Sequence, residues 1–457
     1  MTKTRLTILL LLSVSSALSV FWGFGVERAA HGIIVDFKVV YTGARCLLEK
    51  HDPYNESQLM GVYLAEGGKP PSSPGELFKV RQVVAMLVYL PTAFIYVAPF
   101  ALLPWEVAHM VWSGLTVVTF TFAAFLIWIL AQDLAPNASF YLLCFLLANC
   151  GILFAGGNPA GLAIALCVIA VWCFLLDKHV YIGVFCFAAS LALKPHDTAF
   201  VWLYFLLAGG LLRKRALQTF VVTFVLALPA ILWISHISPR WIPELFGNLA
   251  ATSARGGITD PGPNGMSGSG GGMIIALQTV ISVFRDDPYF YNTVTYLIFG
   301  SLLLLWMIVT IRTRSTPSKH YLALAAISAL SVLPVYHRPH DAKLLLLTLP
   351  ACAMLLHEGG AIGRIALFLN SAAIVLTSDI PLAFLVRMTK GLHLSMEGVP
   401  AKFFTILLAR PMPLILLALG TFYLWVYARR SSSDFRRVPL DVVTAPFTEA
   451  VDEGDVR

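Results

Sequence analysis

The sequence predicts an all-α, polytopic integral membrane protein, and three observations carry that expectation. Charged residues make up 12% of the 457 positions and hydrophobic residues 58%, whereas a soluble domain carries about 25% charged residues. Apolar runs approaching the thickness of a bilayer core recur about twelve times. The basic residues, which give a net charge of only +7, gather at the ends of those runs. That placement suits topology anchoring and argues against nucleic-acid binding.

In chain order, Lys3 and Arg5 precede the run Leu6–Val26, which continues apolar through Phe21 to Gly25 and has only a weak small-residue cleavage site. It reads as a retained first helix, not as a signal peptide. The later runs are Val107–Leu130, Phe140–Phe154, Gly161–Leu176, Tyr181–Leu193, Ala199–Leu212, Ala216–Ile234, Tyr291–Ile311, Tyr321–Leu333, Leu344–Leu356, Ile365–Thr377 and Phe404–Val426. Residues 1–430 therefore form one membrane domain, and the polar residues 431–457 a flexible cytoplasmic tail.

Two polar segments interrupt the pattern. Between Glu27 and Glu106, apolar residues from Phe37 to Leu48 recur at helical spacing beside Lys38, Arg45, Glu49 and Lys50, which predicts a helix lying in the membrane interface. Thr92–Leu103, after Tyr89-Leu90-Pro91, is too short to span and predicts a horizontal or re-entrant helix. The glycine-rich stretch 256–272 has no Gly-Lys-Ser or Gly-Lys-Thr phosphate loop; it reads either as a mobile cover over a cavity or as a plain connector.

Orientation follows from the basic residues in short loops: Lys3, Arg5, Lys178, Arg213 to Arg215, Arg312 to Lys319, Arg364 and Arg429-Arg430 share one side if the N-terminus is cytoplasmic. The segments holding Asp36, Asn158, Lys194, His337 and Asp341 then all face the opposite side. The seven cysteines form no CxxC pair, which argues against a disulfide framework or a zinc site built on them.

Asp36 is the leading candidate for chemistry. A carboxylate just beyond the first helix is costly there unless it is used or paired. It either pairs with Lys38 or Arg45, or it acts as a general base that takes the proton from an attacking hydroxyl. Lys194, before Pro195, either snorkels to the interface or holds a donor phosphate. His196 follows it, with Asp197. In the cluster from Tyr336 to Lys343, His337 and Arg338 could bind phosphate and Asp341 a hydroxyl. His337 and His340 flank a proline with no third ligand in sequence, so no metal is expected, and no cofactor motif occurs. Asn158 could cap the helix that follows it, and Asp52 could make an Asx turn beside Tyr54; both of these, and Tyr54, are also candidates for contact with sugar or acceptor.

The pattern Asp36-Phe37-x-x-x-Tyr41-x-x-Ala44-x-x-Leu47 followed by His51-Asp52-Pro53-Tyr54 resembles the opening of glycosyltransferase family 87. Weaker similarities are Tyr89-Leu90-Pro91, Gly156-Gly157-Asn158, Leu193-Lys194-Pro195 and Asp341 with Leu344 to Leu346. The resemblance implies the GT-C membrane fold, a polyprenyl-phosphate-mannose donor, a glycolipid or glycan acceptor of the bacterial envelope, and a site on the outer face of the plasma membrane with Asp36 as base. The reading is thus an inverting hexosyltransferase embedded in membrane lipids. Two rival classes remain: a lipid or solute transporter, which would place polar groups at mid-bilayer depth, and an envelope polysaccharide polymerase or ligase.

Overall fold

The computed structural model describes residues 2–29, 36–263, 265, 274–313, 316–391 and 398–435, and among them every regular element is helical. Six helices are long and apolar enough to cross a membrane: Lys3–Ala29, Trp105–Ala131, Pro159–Leu176, Gly210–Ile237, Pro288–Arg312 and Pro411–Ser431. A seventh arises if Gly360–Leu376 and Asp379–Met388, bent by 71° at their junction, form one span. The chain is a polytopic membrane protein by this measure.

The remaining apolar runs make shorter helices than expected, and the reasons are local. Phe140–Phe154 breaks between Pro136–Ala148 and Gly151–Gly156. Phe404–Val426 breaks at Arg410-Pro411, because a proline cannot donate to the preceding turn. Ala199–Leu212 ends at Leu207, where Gly209 and Gly210 adopt positive φ. Leu344–Leu356 starts as a tight 3-10 helix, Asp341–Thr348, and relaxes into the α-helix Leu349–Glu358. Hydropathy registers none of these interruptions. The last helix reaches Phe435, so the first five residues assigned to a tail are helical; residues 436–457 and most of the glycine-rich stretch lie outside the described residues.

Charged side chains stitch two of the broken ends. Lys343, buried, donates to the carbonyl of Thr377 at 2.9 Å, and its Nζ lies 3.4 Å from that of Asn149. Asp379 accepts from the Ile152 amide at 2.9 Å. An interrupted helix leaves carbonyls and amides without partners, and unpaired backbone groups in an apolar interior are costly.

The helix predicted over Phe37 to Leu48 forms as Asp36–Leu48, and protein covers most of its faces. Phe37 to Ala44, Cys46 and Leu47 are all buried. Helix Pro91–Ala101 packs against it, the Phe37 ring stacks on Trp112 at 4.8 Å, and the Tyr41 hydroxyl donates to the Leu103 carbonyl at 2.9 Å. Its amphipathic pattern reflected a helix covered by its own loop. The eleven-residue helix Pro91–Ala101 appears where the sequence placed a non-spanning one.

One turn fixes this helix against the bundle. Gly157 sits at φ +60°, and a Cβ there would meet the Phe37 Cβ at 2.8 Å and the Trp112 ring at 3.1 Å. Its carbonyl accepts from the Trp112 indole at 2.8 Å. Gly157→Ala is expected to lose about 1–2 kcal/mol from the left-handed backbone alone, and more from the overlap with Phe37. Gly156→Ala, where a Cβ meets nothing within 4 Å, is the control. Thermal unfolding of the two proteins in detergent checks this; equal midpoints would show that the turn tolerates a side chain.

Candidate functional site

A cavity of about 1560 Å³ opens beside the start of helix Asp36–Leu48. Its wall brings together Asp36, Asn158, Lys194, His196, Arg338, His340 and Asp341, which lie far apart in the chain. Tyr89, Trp105 and Tyr336 supply aromatic surface, and Glu27 and Glu106 further carboxylates. Most of the sequence candidates therefore share one space.

Asp36 begins its helix, where the helix dipole favours a negative charge. Asn158 caps the next long helix: its Oδ1 accepts from the Ala160 amide at 2.9 Å, and its Nδ2 donates to Asp36 Oδ2 at 2.9 Å. Capping and positioning are one role here, because Oδ1 held by the cap aims Nδ2 at the carboxylate. The ion pairs considered for Asp36 do not form. Lys38 donates to the Glu66 carbonyl at 2.7 Å and lies 4.3 Å over the Trp105 ring. Arg45 pairs with Glu49 and Glu66. Among the described residues Asp36 has no cationic partner.

Lys194 occupies the joint between Val180–Leu193 and Pro195–Leu207, and it neither snorkels nor stands free. Its ammonium donates to Asp341 and lies 3.3 Å from Asp197 Oδ2. Burial would discharge it, but the Asp197 and Asp341 carboxylates outweigh burial and hold its pKa above the usual value. Asp341 is equally committed, since its other oxygen accepts the Arg338 amide at 2.7 Å. Lys194, expected at a phosphate, and Asp341, expected at a sugar, both line the cavity, and here they are engaged with each other.

His337 is also displaced from its expected role. It is fully buried behind the cavity wall, with Nε2 3.4 Å from Asp197 Oδ1. His196 reaches the same oxygen at 3.4 Å while its ring remains half-exposed. Arg338 lines the cavity, donates to the Tyr336 hydroxyl, and forms no salt bridge among the described residues, although Asp36 and Asp341 are near enough to favour its charge.

Asp52 and Tyr54 lie elsewhere. Asp52 makes the Asx turn, accepting the Tyr54 amide at 2.9 Å, and its other oxygen accepts from the Ser238 hydroxyl at 2.7 Å. It lines a separate polar pocket with Lys50, His51, Arg240 and Glu244. Tyr54 is buried, and its hydroxyl donates to the Tyr89 carbonyl at 2.6 Å, bracing the segment before Pro91. Neither residue lines the large cavity.

Glu27 and Glu106 were legible only as the acids closing one long helix and opening the next. Asp197 and Tyr336 stood beside named residues, but nothing in spacing tied them to Lys194 or Arg338. No family model matches the chain, and no curated protein or solved structure matches it either.

If Lys194 is structural, Lys194→Met should cost about 3–5 kcal/mol, since it strands two buried carboxylates. Thermal unfolding reads the loss. A Lys194→Met protein as stable as the parent would return the lysine to the pool of free phosphate ligands.

Proposed function

We propose that this protein is a membrane glycosyltransferase that moves a sugar from a polyprenyl-phosphate donor to a hydroxyl of an envelope glycolipid or glycan. One observation carries the reading: a carboxylate, Asp36, and an arginine, Arg338, neither of them in a salt bridge among the described residues, line the same large cavity and attract one another across it. Those are the two charges that transfer from a phosphate leaving group requires.

Asp36 takes the proton of the acceptor hydroxyl as its oxygen attacks the anomeric carbon. The new carbon–oxygen bond forms as the bond from that carbon to the phosphate oxygen breaks, with inversion. The leaving phosphate gains negative charge, and Arg338 is placed to stabilise it through charge-assisted hydrogen bonds. Tyr89, Trp105 and Tyr336 offer faces for a sugar ring. Phe246 and Leu249, exposed at the rim, suit an isoprenoid chain.

The likeness of the Asp36 to Tyr54 pattern to glycosyltransferase family 87 supports the same reading, with mannose as the sugar and a GT-C arrangement. About twelve crossings follow if the shorter apolar helices also pass through the membrane within the protein's own packing. The basic loops then put the cavity on the outer face of the plasma membrane, where a lipid-linked donor is available and nucleotide sugars are not expected.

Asp36→Asn keeps shape and hydrogen bonding but removes basicity, so transfer should fall roughly 10²-fold or more with folding and donor binding intact. Transfer of radiolabelled sugar from a polyprenyl-phosphate donor by the purified protein measures it; near-full activity would sink the assignment. Arg338→Gln should weaken donor use by about 1.5–3 kcal/mol, the worth of a hydrogen bond to a charged group. The measured quantity is kcat/KM for the donor, and an unchanged value would remove Arg338 from the phosphate site.

A further inference from the structure

Behind the cavity wall, three ligand atoms from two segments converge. His196 and Asp197 stand in the first turn of helix Pro195–Leu207, and His337 comes from the loop that precedes Asp341. One ligand atom from each lies within 4.8 Å of the others. Asp197 Oδ1 is 3.4 Å from His196 Nε2 and 3.4 Å from His337 Nε2.

The protonation pattern makes this convergence significant. His337 Nδ1 lies 3.1 Å from the Val335 carbonyl. A carbonyl can only accept, so Nδ1 carries a hydrogen, and Nε2 is the ring atom turned toward Asp197 Oδ1. Backbone carbonyls orient metal-ligating histidines in this way. The Asp197 side chain is fully buried, as is His337. Asp197 Oδ2 lies by the Lys194 ammonium, whereas Asp197 Oδ1 and His337 Nε2 are buried without a hydrogen bond among the described residues. Buried acceptors that face one another are costly, and a shared cation removes that cost.

We infer that His196, Asp197 and His337 form a binding site for a divalent transition metal with tetrahedral preference, zinc being the fitting ion. Metal–nitrogen and metal–oxygen bonds of about 2.0–2.2 Å give a tetrahedral edge of about 3.3–3.5 Å. An octahedral edge with bonds of about 2.0–2.1 Å is about 3.0 Å. The two measured separations of 3.4 Å match the tetrahedron. Three protein ligands leave a fourth position open, the arrangement of reactive zinc sites and not of closed structural ones. The Lys194 ammonium lies at the other oxygen, Oδ2, at 3.3 Å, so it does not occupy the same side of the carboxylate.

His196 also lines the cavity, whereas Asp197 and His337 do not, so the site adjoins the space in which a phosphate group would lie. A metal there would add positive charge to a cluster in which Lys194 is already balanced by Asp341. Only this last step, metal contact with a donor phosphate, rests on the glycosyltransferase reading.

The test is metal content, read without any substrate. Full-length protein in detergent is stripped with a chelator, exposed to zinc, passed through a desalting column and analysed by mass spectrometry of the metal. The expected result is about one zinc per chain. Loading with cobalt should give the intense visible bands of a tetrahedral ion. His196→Gln, a change at a half-exposed ring, should weaken those bands and lower zinc retention at least about tenfold, with elution and thermal unfolding like the parent. Asp197→Asn and His337→Gln should abolish both signals. A parent protein that retains no zinc and gives no cobalt spectrum would overturn the proposal, and the Asp197–His337 contact would then be bridged by a proton on Nε2. A cobalt spectrum unchanged in His196→Gln would overturn it equally. Loss of transfer in Asp36→Asn with metal retained, or the converse, separates this proposal from the functional one.

Discussion

A buried ammonium organises the polar half of this protein. Lys194 ends one helix at a proline that starts another, and it lies in surroundings that would discharge an isolated lysine. Asp341 and Asp197 keep it charged, and each carboxylate is itself tied to something else. Asp341 holds the Arg338 amide, which fixes the loop carrying the cavity's unpaired guanidinium. Asp197 meets both histidines. Desolvating four such groups is expensive, and the expense is recovered only if all partners are present in the right geometry. The loop from Tyr336 to Asp341 therefore has one place to sit, and that place puts Arg338 on the cavity wall.

The same logic accounts for the charges deeper in the bundle. Ionisable groups among broken helices are a mark of transport pathways, and Lys343 and Asp379 would qualify by position alone. Their partners say otherwise. Lys343 contacts the carbonyls of Thr377 and Asn149, and Asp379 accepts the Ile152 amide. These are the backbone groups that the interruptions leave open. Neither residue lines the large cavity. The charges repair the helix ends where they occur, so they give no independent support to a transporter.

The helices and the leading candidate were legible because both are local properties. Composition and apolar runs located the long helices, while the helix starts at Pro91, Pro159, Pro195, Pro288 and Pro317 sharpen boundaries that hydropathy left loose. Asp36 stood out because an acid beside an apolar helix is rare. The misplacements share a cause. Whether Lys194 is free, whether His337 meets solvent and whether helix Asp36–Leu48 is covered depend on contacts across long sequence separations. Lys194 and Asp341 are 147 residues apart. The amphipathic pattern of Asp36–Leu48 was read as a helix, which forms, but periodicity reports a polar face without saying what covers it, and here the protein covers nearly all of it. The gathering of His196, Asp197 and His337 was invisible for the same reason, since only two ligands were adjacent in sequence.

The environment of Asp36 is what a base needs and an ion-pair partner does not. A carboxylate locked to a nearby cation is stabilised in its charged form and loses affinity for protons. The two cations in its own helix are diverted: Lys38 to the Glu66 carbonyl and the Trp105 face, Arg45 to Glu49 and Glu66. What remains is a neutral amide, Asn158, which orients one oxygen and leaves the other to the cavity. An amide donor fixes the direction of the carboxylate. Because Asn158 is held by its role as a helix cap, that orientation is set before any substrate arrives. Preorganisation of this kind lowers the cost of reaching the attack geometry. It also explains why Gly157 matters to chemistry it does not touch. The left-handed turn places Asn158, Asn158 places the carboxylate, and Phe37, packed against the turn where a Cβ would otherwise stand, keeps the helix bearing Asp36 in register with both.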